Sequence, residues 1–408
     1  MKFSLIATVL LFFFASAVWA ESEWTPSISV SEEYNDNVDE EHDAEEDFIT
    51  TVSPSLGYRY EDARVQFDAA YTLDWNTYAK GTRDQEFNHD AKVYGLLDAW
   101  QNFLFLEVQD TYRLVNEDVT RGEVREEDST RDQVQQNMFI FSPYITPRFG
   151  DRTSAKIGYA YNNIWYDDDD YDLKNIHRGF IDGDYELSAR ASLLSGYSYA
   201  MELSDEDTLD RHILYGGARY AYAENGNLRF KIGPMYSRYR DRDTSSSSVY
   251  WDAGLDHDFG VVRLDLATGI SFDDDPDTGE TFERRYGTVT LSKAWPRTTA
   301  SVFSTFEDYE ESADSDTDET ESGERVSLGT SLSHELTQRL TASASVVHDF
   351  EIDSDEDTKR WYANAGLSYA VSERVGLHAW YRFKDSDSDD LDDDFTVNRI
   401  GLQLTMTF

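Results

Sequence analysis

The chain contains no cysteine, which excludes a disulfide framework, Cys-ligated zinc, Fe–S clusters and thiol catalysis. Basic residues are few, 36 Lys and Arg against 81 Asp and Glu, for a formal net charge of -45 in 408 residues. That balance repels nucleic acid, whose phosphates need cationic partners. No glycine-rich phosphate loop occurs. Beyond Ala20 no apolar run reaches the roughly 20 residues that cross a bilayer as a helix. The eight His (42, 89, 177, 212, 257, 334, 348, 378) form no His-x-x-x-His or His-Glu-x-x-His arrangement. Neighbours such as Asp256-His257-Asp258 follow from the acidity alone. Any Ser/His/Asp set would have to assemble across strands. The expectation is therefore no catalytic residue, no cofactor and no specific metal site.

Aromatic residues are abundant: 26 Tyr, 23 Phe and 9 Trp. Disordered acidic chains are poor in aromatics, so this one is expected to fold. Residues 1–20 read as a secretory leader. Lys2 gives the positive start, "LIATVLLFFFASAV" (5–18) the apolar core, and Val18-Trp19-Ala20 a small-residue cleavage site. A retained anchor helix is the alternative, but the apolar core is shorter than a span requires. Without a Cys after the site, a lipoprotein anchor is excluded. Residues 21–408 then form one domain that meets a membrane, if it meets one, through strands.

The mature chain repeats one unit about every 40 residues without a recurring motif, the pattern of a hairpin meander. Tight turns fall at "YEDAR" (60–64), "AWQN" (99–102), "FGDR" (149–152), "LSAR" (187–190), "AENGN" (223–227), "DFG" (258–260), "AWPR" (294–297), "LTQR" (336–339) and "VSER" (371–374). Asn225-Gly226 is a hairpin signal, and Pro296 sits where a turn tolerates it. Longer loops alternate with them, at about 35–46, 78–86, 115–130, 166–174, 203–210, 240–247, 273–281, 309–323, 352–358 and 385–394. The flanking segments number about twenty, with eighteen possible.

These segments alternate with a period of two. Leu228, Phe230, Ile232 and Tyr236 oppose Arg229, Lys231, Gly233 and Met235; Val262, Leu264, Leu266, Ile270 and Phe272 oppose Arg263, Asp265, Ala267, Gly269 and Ser271. Val326, Leu328, Leu332 and Leu336 share a face, as do Val375, Leu377, Tyr381 and Phe383. A soluble sandwich also alternates, but it seldom runs to twenty strands in a single meander. Each segment is long enough for the roughly 9–11 tilted residues that span a bilayer, and closure leaves no backbone unpaired in lipid. The fold expected is all-β: a transmembrane antiparallel up-and-down β-barrel with short periplasmic turns and long acidic outer loops. Trp165, Tyr166, Trp251, Trp361 and Tyr362 suit interfacial girdles.

The ending "GLQLTMTF" resembles the C-terminal signal of bacterial outer-membrane barrels, a final Phe preceded by apolar residues at every second position. Leu402, Leu404, Met406 and Phe408 carry it. The resemblance implies a Gram-negative outer membrane and the barrel-assembly machinery as partner. "SVSEEYNDNV" (29–38) and "FSPYITPRFGDRTSAKIGYAYNNIWY" (141–166) are similar to outer-membrane barrels associated with PEP-CTERM/exosortase exopolysaccharide clusters. These in turn resemble the β-barrel porin-2 group. Tyr34-Asn35-Asp36-Asn37 and the turn at Pro147-Arg148-Phe149-Gly150-Asp151, with Pro143 before it, carry that match. It implies a porin-like role near polysaccharide secretion.

Acidic runs concentrate in the long loops and basic residues near the short turns: Arg64, Arg148, Arg152, Arg190, Arg229, Lys231, Arg263, Arg297, Arg339 and Arg374. One reading is a field that draws anionic cargo in from the periplasm. The other is that acidic loops merely keep the rim solvated. Alternating Asp, as at 385, 387 and 389 or 314, 316 and 318, resembles calcium loops but completes none, so loose divalent binding that bridges lipopolysaccharide is the expectation. Alternation places Lys156, Arg229, Lys231, Arg263, Arg374, His378, Trp380 and Arg382 in the lumen. Trp380 with Arg382 would offer a sliding surface for sugars, and charge ladders that stiffen the wall are the plainer account. The loop at 307–324 is the expected partial constriction. A porin-like channel supporting exopolysaccharide export, with outer-membrane lipid and periplasmic export proteins as partners, leads. A structural or adhesive barrel with cation-binding loops and an outer-membrane enzyme are the alternatives.

Overall fold

The computed structural model describes residues 21–408 apart from 169–170, 172, 205–206, 243, 277–278, 312–321, 354–356 and 389–393. The leader at 1–20 lies outside the described residues. So do the centre of the 307–324 loop and the aspartates at 314, 316, 318 and 389.

Twenty strands run in chain order from β1 (Glu21–Asn35) to β20 (Phe395–Thr407), each antiparallel to the next. β20 pairs back on β1 from Ser27↔Thr407 to Asn35↔Arg399, which closes the barrel. Strands of 12 to 16 residues exceed what the hydrocarbon layer needs, so their outer ends stand above it. The alternating residues of the last strand face outward: Ile400, Leu402 and Phe408 are 58%, 55% and 66% exposed, with Leu404 and Met406 on the same face. In lipid, that exposure is burial.

The "YNDN" stretch does its work at the closing seam. Asp36 accepts from the Asn398 backbone N–H (2.6 Å) and side-chain amide (2.8 Å). The Asn37 amide donates to Glu41 O (2.7 Å) and Thr396 O (3.4 Å), and its own backbone N–H is capped by Asn35 Oδ1 (2.9 Å). First and last strands are thus laced by side chains as well as by the ladder. The segment at 147–151 is a periplasmic turn: Phe149 N–H donates to Thr153 O, and Gly150 takes a φ of 76°.

Several expectations change in detail. Trp165, Trp251 and Trp361 keep the outward register, but Tyr166 and Tyr362 turn inward and are 4% and 7% exposed. The hairpin at 223–227 forms on Glu224 and Asn225, while Gly226 opens the next strand. Its Cβ would meet His257 and Tyr222 at 2.5–2.7 Å, so close packing explains this glycine. Ile270 and Phe272 leave the lipid face. The ladder between β12 (Ser245–Asp258) and β13 (Arg263–Asp274) runs only from Asp252↔Gly269 to Asp258↔Arg263. Above it the tip of β13 and β14 (Thr281–Trp295) parts from β12 and leans into the lumen, still laddered to the strand that follows it.

Candidate functional site

Two elements cross the outer end of the lumen and meet. The first is the loop 117–132 between β5 (Leu104–Asn116) and β6 (Gln133–Ile145). It starts in a single 3-10 turn at Val119–Arg121, where Asp118 accepts from the Thr120 N–H (2.8 Å). Gly122, at φ 76°, then reverses the chain beside Arg325, where a Cβ would overlap the guanidinium. The second is the β13–β14 tip. Phe272 lies under Arg211 (3.4 Å to the ring centroid), Asp274 takes Lys174 and the Tyr166 hydroxyl (2.5 Å), and Thr281 donates to Glu202 (3.0 Å). These partners sit on the inner faces of β7 (Thr153–Tyr166), β8 (Lys174–Ser188), β9 (Ala191–Leu203) and β10 (Thr208–Ala223). The Val119 N–H donates to Asp275 (2.8 Å) and joins the two elements into one septum.

Ion pairs pin the loop to the opposite wall. Arg125 reaches Asp349 (2.8 Å) and stacks on Tyr362 (4.7 Å), Glu126 reaches Arg382 (2.7 Å), and Asp128 reaches Lys384 (2.8 Å). The loop between β1 and β2 (Asp47–Glu61) folds in as well, and Glu40 bridges Lys384 and Arg399, both at 2.7 Å. Glu40, Lys384 and Arg399 are each 8% exposed, so the group is desolvated and every charge is matched. Burial alone would raise the Asp128 carboxyl. The Lys384 ammonium and the Arg125 N–H outweigh it and hold that carboxyl below the ordinary carboxylate range.

Apart from Arg382, the pinning residues were missed by the sequence reading, which placed the constriction at 307–324. There, residues 307–311 and 322–324 belong to the wall strands β15 (Thr298–Glu311) and β16 (Ser322–Glu335). A signal did exist. Among the long acidic loops, 117–132 alone carries three arginines, Arg121, Arg125 and Arg131.

Below the septum lies a cavity of about 1040 Å³. Of the residues expected in the lumen, Lys156 and Lys231 line it. The Lys156 ammonium sits 3.9 Å over Tyr144, and Lys231 faces Asp252 (3.5 Å). Arg229 shares Asp252 (3.6 Å), Arg263 pairs with Asp265 (3.0 Å), and Arg374 stands in a periplasmic turn. Trp380 and Arg382 do lie together on the inner face, but they are engaged. The Trp380 indole N–H donates to Glu33 (2.9 Å), its ring covers Gly401, and it is 8% exposed. Arg382 faces Glu33 and Glu126. No open stacking surface results.

His378 contacts Ser368 (2.9 Å), and among the described residues no carboxylate completes a triad. Other histidines belong to the outer surface. Tyr71–His89 (2.7 Å), Tyr159–His177 (2.5 Å) and Tyr197–His212 (2.8 Å) repeat one cross-strand register and satisfy each other's polar atoms toward lipid.

Residues 298–408 match the model of a family described as "Putative beta-barrel porin 2", which supports a porin-like outer-membrane barrel. No curated protein matches the chain. Among solved structures, a mutant of the ferric enterobactin receptor PfeA from Pseudomonas aeruginosa is similar at 8% identity, with 95% of this chain and 81% of that one covered and a TM-score of 0.53. The siderophore receptor PirA from the same organism gives 8%, 95%, 80% and 0.50. The FrpB iron transporter of Neisseria meningitidis gives 9%, 94%, 81% and 0.50. At these identities the likeness concerns the fold alone: a large outer-membrane barrel.

Proposed function

We propose that this protein is a porin-like channel that supports exopolysaccharide export across the outer membrane and is closed at rest by its septum. The observation that carries the reading is a closed barrel whose cavity of about 1040 Å³ is capped at the outer end by docked elements. Ion pairs and hydrogen bonds hold the 117–132 loop of the cap and no ladder does, so that loop moves without unfolding the wall, while the β13–β14 tip stays laddered to β15. In this reading residues 1–20 are a cleaved leader. The assembly machinery reads Leu402 to Phe408, lipopolysaccharide surrounds the outer rim, and periplasmic export proteins deliver the chain. The resemblance of two sequence stretches to exosortase-associated barrels supplies the polysaccharide; the geometry supplies the channel and its closure.

A second reading, a non-conducting structural barrel, is favoured by the same matched ion pairs that close the lumen. Planar-bilayer recording separates the two. Wild-type protein would give rare openings, and a variant with the loop unpinned (Arg125→Ala with Lys384→Met) would give sustained steps. Silence in both, for protein shown to be folded, would leave the structural reading.

A further inference from the structure

The short turns place arginines in one repeated position. Arg64, Arg152, Arg190, Arg297, Arg339 and Arg374 each stand directly before the first residue of a strand, in six of the nine periplasmic hairpins. Each backbone carbonyl accepts an N–H from the next strand along the wall. The donors are Asp98, Glu186, Ala221, Glu335, Ala370 and Thr407, at 2.7–2.9 Å. That stitch makes the arginine the first rung of the ladder. The following rung faces lipid, cross-strand from residues such as Tyr185, Tyr369 and Met406, which are 43%, 42% and 40% exposed. Strand alternation therefore puts all six arginines on the lumen side of the periplasmic mouth.

In four of these turns a side chain also sets the arginine backbone. Asp62, Ser188, Thr337 and Ser372 accept from the N–H two residues on, at 2.6–3.3 Å. The guanidinium groups are exposed, and no carboxylate lies within ion-pair distance of them among the described residues. Cations at the outer end behave in the opposite way. Arg211, Arg284, Arg325, Arg360 and Arg399 each hold a carboxylate. In a chain of net charge -45, unspent positive charge is thus gathered at one mouth. It continues upward on a single wall of the cavity, at Lys92, Arg113, Lys156 and Arg178, which also hold no carboxylate among the described residues. Lys156 and Arg178 flank Phe180, at 5.7 and 5.3 Å from its ring, so cation and aromatic face are offered together.

Acid is present too. Asp98, Glu186 and Glu335 stand cross-strand from three of the arginines, and Asp90, Glu107 and Asp182 are interleaved with the cavity cations. Some of these are occupied: both Asp98 oxygens accept from Asn102 N–H, and Asp182 accepts from the Tyr215 hydroxyl. The ring is the part with the least opposition, since Arg190, Arg339 and Arg374 face Ala221, Ala370 and Thr407.

We propose that the arginine ring is the periplasmic intake and selectivity filter of the channel, and that its substrate is a saccharide chain bearing repeated anionic groups. Rings of Arg or Lys select anions in pores, and a ring with spare donors engages successive charges without holding any one. The inference rests on the channel reading and names its substrate class.

The test uses the full-length protein with the septum unpinned as above, in a planar bilayer under a KCl gradient. The expected reversal potential is anion-selective. Polygalacturonate added on the periplasmic side blocks current, dextran sulfate does the same if any repeated anion suffices, and neutral dextran does not. Changing the six arginines to Gln weakens the polygalacturonate block by roughly tenfold or more, and changing them to Lys retains most of it. Should the Gln variant fail to assemble, the unmodified ring still decides the matter through selectivity and polymer block. Steady conductance with cation selectivity, or equal block by neutral dextran, overturns the filter and leaves the channel standing. No conductance at all overturns the channel reading itself.

Discussion

Lys384 faces Glu40 and Asp128 across a desolvated gap at 2.7 and 2.8 Å. Removing one partner of such a group leaves uncompensated charge, which costs roughly 3–5 kcal/mol. Lys384→Met should therefore loosen the docked loop while the wall stays intact. Limited trypsin digestion of the folded protein would read this as new cleavage at Arg121 and Arg125, sites that stay protected in the wild type. Asp128 adds a pH dependence. Docked, its carboxyl titrates below the released value, because Lys384 and the Arg125 N–H outweigh burial. Its contribution to docking is complete above the released pKa of about 4 and is lost as pH falls through the lower, docked value. A fluorophore at Glu123 should report no change in exposure between about pH 8 and 5 and a rise only below about pH 4. A midpoint near neutrality would contradict the assignment.

At the scale of elements, the seam and the terminal strand carry separate duties. Asn37 is 1% exposed and bonds to Asn35 at the end of β1, to Glu41 within the following loop and to Thr396 of β20. Asn37→Ala leaves buried carbonyls unpaired, a cost of roughly 1–3 kcal/mol. It should lower the temperature at which the barrel loses its compact mobility on a gel, with secondary structure intact before that point. Deleting Phe408 removes an exposed ring at the end of the lipid face and one backbone hydrogen bond to Pro26 O (3.0 Å). It should reduce the amount inserted in the membrane while leaving the conduction of folded molecules unchanged. A folded yield equal to wild type would remove the assembly role.

How far the elements were legible follows from the same contrast. Strand number and face alternation depend on local pattern, and the short turns on local chemistry, so both can be read along the chain. Ile270 and Phe272 break the pattern because the contacts that draw them inward, Arg211 and Lys174, come from strands β10 and β8. Their alternation is unchanged; the surface they meet is not. Trp380 and Arg382 share a face by alternation, but their engagement by Glu33 and Glu126 is a long-range fact without a local trace. The inward loop announced itself only by composition, through three arginines in an acidic stretch.

For the whole molecule, charge is sorted by height. The outer end spends its cations on carboxylates that lock a septum, the periplasmic turns keep six arginines out of ion pairs among the described residues while Arg229 and Arg263 nearby hold Asp252 and Asp265, and the lipid face holds tyrosine–histidine pairs that satisfy themselves. A wall closed by twenty paired strands, with its ladder interrupted only where the upper part of β12 parts from β13, gives a stiff tube, so conduction turns on the docked elements. The most direct measurement is single-channel current through purified, folded protein, comparing wild type with the variant carrying Arg125→Ala and Lys384→Met. A wild type that is mostly closed, beside a variant with long-lived open steps, is the result this account predicts. Identical traces from the two, whether both open or both silent, would contradict a lumen closed by the septum.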